Sequence, residues 1–244
     1  MVCAGKVAIV TGAAGKGMGR SIALTLAREG ARVVVNYRAS ADSAAAIVAH
    51  IEGRGGRALA FRADVNEAEQ CQSLVAAATE TFGRVDICII GPGAGWHPES
   101  IDKLDAAGAL DDVQKELAPI YHLMPLVLPG MYERNWGRVI ALALTPPYNS
   151  PAYAYNVGKA ARTQALQLAR DAAWPHGVTL NTIGPGPVRQ IAALDEAIEQ
   201  CDRGPAWQQR GTTSPQDIAE GVAFLCSESG NFISGAVLPY MYRG

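Results

Sequence analysis

Apolar residues along the chain fall into two alternating patterns. Short runs rich in Val, Ile and Leu, continuous rather than broken by polar residues, occupy positions 6–11 (KVAIVT), 32–36 (RVVVN), 57–62, 85–90 (VDICII), 138–144, 178–183 and 236–239. Longer Ala-rich stretches of helical period lie between them, at 18–29, 41–52, 67–82, 110–133, 152–174 and 215–227. A continuous apolar run suits a strand covered on both faces, as in a parallel sheet. Alternation of such strands with helices implies right-handed crossovers. The pattern therefore predicts an α/β fold built on one doubly wound parallel sheet with helices on both faces. No internal repeat, linker or low-complexity tract interrupts it, so a single domain over residues 1–244 is expected.

Composition narrows the classes of function. With 244 residues, 49% of them hydrophobic, the chain can bury a sizeable core without staples. A net charge of −2 and the lack of any basic run argue against nucleic acid as the main partner. Five cysteines (Cys3, Cys71, Cys88, Cys201 and Cys226) are scattered and never form a CxxC pair. They support neither a disulfide framework nor a metal site, and Cys88, inside an apolar run, reads as a core residue. No stretch reaches the ~18 apolar residues of a membrane span. The chain also runs from Met1 straight into a strand-like segment, which predicts no secretory leader and a cytoplasmic location.

The first candidate chemistry lies where the first strand meets the first helix, at Thr11-Gly12-Ala13-Ala14-Gly15-Lys16-Gly17-Met18-Gly19-Arg20. Glycines there let the backbone approach a pyrophosphate, and a helix N-terminus offers free N–H groups and partial positive charge. Gly12, Lys16, Gly17, Met18 and Gly19 are thus candidate cofactor residues of a Rossmann-type nucleotide site. The second strand ends in Asn36-Tyr37-Arg38 rather than in the carboxylate that holds the ribose hydroxyls of NAD. Arg38, with Lys16, can pair with a 2′-phosphate, so NADP(H) is the expected cofactor; two ordinary solvated cations are the alternative. Asp64-Val65 after the third strand are placed to meet an adenine, while Asp64 equally suits the N-cap of the next helix.

These motifs, with Tyr155-Asn156-Val157-Gly158-Lys159 and Asn181-Thr182-Ile183-Gly184-Pro185-Gly186, occur in the order found in one family. Over essentially its whole length the chain resembles the short-chain dehydrogenases/reductases, most closely the branch that includes the 3-oxoacyl carrier-protein reductases. The resemblance implies reduction of a ketone or similar carbonyl in a small-molecule substrate. Tyr155 would protonate the carbonyl oxygen, and Lys159, four residues on and on the same helical face, would lower the phenol's pKa and hold the nicotinamide ribose. Gly91, Pro185, Gly186 and Val188 would flank the nicotinamide. Residues 187–210 would form a substrate lid, and the helices at 110–133 and 152–174 would pair between subunits in a homo-dimer or tetramer.

The chain also departs from the family pattern. Its serine, at the end of the fifth strand, falls on Leu144, leaving the neighbouring Thr145 as substitute hydroxyl. The family's Asn-Asn-Ala-Gly becomes Ile90-Gly91-Pro92-Gly93, and its relay asparagine falls near Glu116, expected to be solvated or ion-paired, with proton carriage as the alternative. The glycine turn is one residue longer than usual. Trp96, His97, Tyr148, Tyr153 and Trp207 are aromatic candidates for a pocket between 93–98, 145–153 and 186–209. Two other readings follow from these losses: an NADP(H)-binding sensor or subunit without turnover, and a non-redox lyase or isomerase on the same scaffold.

Overall fold

The computed structural model of the protein describes residues 1–144, 152–204 and 211–240. Seven strands, β1 (Val7–Val10), β2 (Arg32–Tyr37), β3 (Ala58–Arg62), β4 (Ile87–Ile90), β5 (Gly137–Leu142), β6 (Val178–Pro185) and β7 (Val237–Tyr240), form one sheet in the order β3-β2-β1-β4-β5-β6-β7. Every neighbouring pair is parallel. Strand order reverses between β1 and β4, where Ile9 lies against Cys88. The helices are α1 (Met18–Arg28), α2 (Ala41–Gly53), α3 (Ala68–Phe82), α4 (Ala106–Glu133), α5 (Tyr153–Ala173), α6 (Leu194–Arg203) and α7 (Pro215–Cys226).

Successive side chains of a strand point to opposite faces, and both faces here are covered. Ala8, Val10, Val33 and Val35 join the layer formed by α1, α2, α6 and α7. Val7, Ile9 and Val34 join the layer of α3, α4 and α5. Two apolar layers explain why the strands read as unbroken hydrophobic runs.

Helix α6 is an element that the hydrophobic pattern does not predict; it falls in the expected lid. Only Leu194, Ala197, Ile198 and Cys201 give it an apolar stripe, at i, i+3, i+4 and i+7. The fourth long helix starts earlier than expected, at Ala106, where the Asp105 carboxylate accepts from the Gly108 N–H at 2.8 Å. It continues through Pro119, Pro125 and Pro129. Asp64 does not cap α3: Glu67 is the N-cap, and Asp64 accepts instead from the Asn66 backbone at 3.0 Å and the Asn66 side chain at 3.1 Å.

Candidate active site

The carboxyl ends of β1 and β4 bracket the switch point, where a doubly wound sheet opens its binding crevice. The glycine turn follows β1. Gly12 has φ +63°, and a Cβ on it would fall 2.7 Å from the Pro92 ring. A Cβ on Gly19 would crowd the Gly12 carbonyl, 2.5 Å away, so both glycines are needed for turn and helix to pack. Gly17 has open space around its Cα and offers α1 no side-chain cap, which leaves the helix N-terminus free for an anion. Lys16 is exposed, and its carbonyl accepts from the Ile191 N–H at 2.9 Å.

Asn36 orients this turn from beneath. It is buried; its side-chain oxygen accepts from the Gly12 N–H at 3.1 Å and its amide donates to the Ala63 carbonyl at 3.0 Å. A cleft of about 220 Å³ runs from Gly12 and Pro92 to Arg38, Asp64 and Val65. Arg38 stands at its rim with its side chain 74% exposed, 3.5 Å from an Asp64 oxygen. Burial pushes the Asp64 carboxyl up, but hydrogen bonds from Asn66 and the Arg38 charge outweigh it and hold the group below its ordinary range.

Tyr155 and Lys159 lie one turn apart on α5, the Lys159 ammonium 5.2 Å from the centre of the Tyr155 ring. Trp96, half exposed in the loop after β4, meets the Tyr155 ring edge-on at 5.3 Å. Its neighbour His97 turns Nδ1 to the buried Asp112 carboxylate, 2.9 Å from one oxygen. Gly91 sits at the end of β4, its N–H donating to the Thr11 hydroxyl at 2.9 Å. Pro185 ends β6; the Gly186 N–H donates to the Tyr240 carbonyl at 2.7 Å, and Val188 bridges to Thr213. Tyr153 is exposed at the start of α5, and Leu144 is half-buried just past β5. Thr145, Tyr148 and Trp207 lie outside the described residues.

Glu116 is not solvated but fully buried and ion-paired. Its Oε2 lies 3.1 Å from Lys159 Nζ and 2.9 Å from Arg162 Nε. Arg162, also fully buried, is the site residue that reading the sequence missed. Its signal was its spacing, three residues after Lys159 and seven after Tyr155 on one helical face. Burial and the Arg162 charge, opposed by Glu116, bring Lys159 down to about 8. Burial and the Glu116 carboxylate, opposed by Arg162, hold the Tyr155 phenol above its ordinary value. Lys159 thus faces the Glu116 carboxylate as well as the Tyr155 ring.

A family model described as Enoyl-(Acyl carrier protein) reductase matches residues 12–240. The chain is 33% identical to a 7alpha-hydroxysteroid dehydrogenase of Escherichia coli, over 96% of this chain and 92% of that one. It is 30% identical to a 3-oxoacyl-[acyl-carrier-protein] reductase of Staphylococcus epidermidis, over 96% of each. A solved structure of 7 alpha-hydroxysteroid dehydrogenase complexed with NADH and 7-oxo glycochenodeoxycholic acid superposes with a TM-score of 0.85 at 28% identity, covering 99% of this chain and 94% of that one. A Serratia marcescens short-chain dehydrogenase/reductase mutant gives a TM-score of 0.85 at 26% identity, covering 100% of this chain and 99% of that one. With a glycine turn at the switch point, a Tyr-Lys pair on the fifth helix and relatives that match end to end, the chain belongs to the short-chain dehydrogenase/reductase family.

Proposed function

We propose that the protein binds NADP(H) and reduces a ketone or related carbonyl of a small-molecule substrate, with Tyr155 as proton donor. The observation that carries this reading is the Tyr155–Lys159 pair on one face of α5. Gly12, Lys16, Gly17, Met18 and Gly19 would hold the pyrophosphate, and Asp64 and Val65 the adenine. Gly91, Pro185, Gly186 and Val188 would flank the nicotinamide, with Lys159 on its ribose. The open backbone at Gly17 and the uncapped start of α1 fit a phosphate there. When bound, the nicotinamide supplies the hydride.

A phenol held above its ordinary value keeps its proton near neutrality. A raised pKa also makes the phenol a weaker acid, so the Arg162 charge, which opposes the rise, works in favour of donation to a carbonyl oxygen. Trp96, edge-on to that phenol, would give the substrate an apolar wall. Thr145 would be the second hydroxyl in place of the serine lost at Leu144. The preference for NADP(H) rests on Arg38, which is exposed at the cleft rim with a single carboxylate at 3.5 Å.

The test is NADPH oxidation against a panel of ketones, 3-oxoacyl thioesters and quinones, run with the wild type and with Tyr155→Phe. Turnover that falls at least a hundredfold in the variant, with NADPH binding unchanged, is the expected result; a variant as fast as the wild type overturns the assignment. Leu144 favours one other reading, a sensor or subunit that binds NADP(H) without turnover. Tight NADPH binding with no activity across the panel would select it. Exposed Tyr121 on α4 and Val157 and Leu168 on α5 give these helices an apolar outer face, the basis for proposing a homo-dimer or tetramer. Five free cysteines, all buried, suit the reducing cytoplasm proposed as its location.

A further inference from the structure

Arg162 sits at the point where four elements of the site meet. Its guanidinium donates to the carbonyls of Gly91 at 3.0 Å, Leu142 at 2.9 Å and Pro92, which lie at the ends of β4 and β5. Its Nε donates to the main-chain carbonyl of Glu116 on α4 at 2.6 Å and lies 2.9 Å from the Glu116 carboxylate. The second carboxylate oxygen of Glu116 accepts from the Ala94 N–H at 2.9 Å. Space for the carboxylate comes from missing side chains. A Cβ on Gly158 would fall 2.7 Å from Glu116 Cγ, and one on Gly93 would collide with the carboxylate itself.

Ion clusters of this kind are an expensive way to hold a fold, because apolar residues of similar volume often do as well or better. What the cluster does set is the charge next to Tyr155. Glu116 alone would cancel the Lys159 ammonium; with Arg162 added, two cations and one carboxylate restore one net positive charge. The ammonium is fixed in place, and the Arg162 charge opposes the rise that Glu116 imposes on the Tyr155 phenol. Asp112, one turn before Glu116 on α4, is itself held by His97 of the loop after β4.

We propose that Arg162 and Glu116 are positioning residues for the reaction: Arg162 holds Glu116 and the ends of β4 and β5, and Glu116 holds the Lys159 ammonium beside Tyr155. The inference rests on the reading of Tyr155 and Lys159 as the reacting pair. Arg162 acts through a planar fork shared among carbonyls and a carboxylate, a geometry lysine does not reproduce.

The experiment compares the full-length wild type with Arg162→Met, Arg162→Lys, Glu116→Gln and the double variant Glu116→Gln/Arg162→Met. Thermal stability, NADPH binding, kcat and KM are followed, together with a spectroscopic pH titration of the Tyr155 phenol, identified by its loss in Tyr155→Phe. Removing Arg162 should move the phenol titration upward by about one pH unit, and removing the Glu116 charge should move it downward. Arg162→Met should lower kcat about tenfold to a hundredfold with little change in KM, and Arg162→Lys should recover only part of that. The double variant restores the net positive charge beside Tyr155 but leaves Lys159 without the carboxylate that fixes it, so kcat should stay low. A double variant that recovers wild-type kcat would show that the positioning contacts are dispensable and overturn the proposal. So would an unmoved phenol titration in the single variants. Full turnover by Tyr155→Phe would instead remove the underlying reading, and the positioning role with it.

Discussion

At the residue scale, the consequences of the site concentrate on Lys159 and Arg38. Folding lowers the Lys159 pKa from 10.5 to about 8, so between those values the unfolded chain binds more protons than the native one. Stability from this group therefore rises as pH climbs through that window, by on the order of 1–3 kcal/mol, and denaturant unfolding of the wild type against Lys159→Met would register it. If the ammonium is needed for reduction, kcat/KM should fall on the alkaline side with a break near pH 8 in the free enzyme. Arg38→Gln should weaken NADPH binding about tenfold to a hundredfold and leave NADH binding unchanged, read by fluorescence titration. That Gly12, Arg38, Asp64 and Val65 line one cleft was legible because its parts are local: a glycine turn, a strand end and an Asp-Val pair each lie within a few residues. Arg162 was not, because its partner Glu116 is 46 residues away in sequence and a helical arginine reads as solvated. The Leu144 departure stood out in the sequence only because the resemblance to a family supplied the position to compare.

Among the elements, the strands were readable because parallel strands between two helical layers must be apolar on both sides, whereas α6 was hidden by acidic and amide residues around a narrow stripe. Helix α4 is the element whose sequence and conformation disagree. Pro125, exposed in its interior, has no N–H to offer the Tyr121 carbonyl four residues back, and its ring crowds that carbonyl. Pro125→Ala should stabilise the protein by about 2 kcal/mol, the helical gain of about 3 kcal/mol being offset by up to about 1 kcal/mol from a freer unfolded chain. A melting curve decides this, and no gain would mean that the proline's stiffening of the unfolded chain offsets the recovered helical contact. Helix α7 shows the opposite case, its start closed by a reciprocal Ser214–Asp217 capping box. Ser214→Ala should cost about 1 kcal/mol.

For the molecule as a whole, the order of the sheet matters more than any one contact. β1 lies inside the sheet between β2 and β4, and α1 packs against α7, far along the chain. That contact is polar as well as apolar: Arg28 holds Glu220 at 2.8 Å, and the buried Gln216 donates to the Thr25 hydroxyl at 2.8 Å. Arg28 and Glu220 are 192 residues apart. A ribosome adding roughly 5 to 20 residues per second needs roughly 10 to 40 s to cover that distance. For that time the α7-facing side of α1, with the glycine turn at its head, waits uncovered in a nascent chain. Chains released before residue 215 should accordingly be captured by holdase chaperones or aggregate, whereas chains that include α7 close over α1.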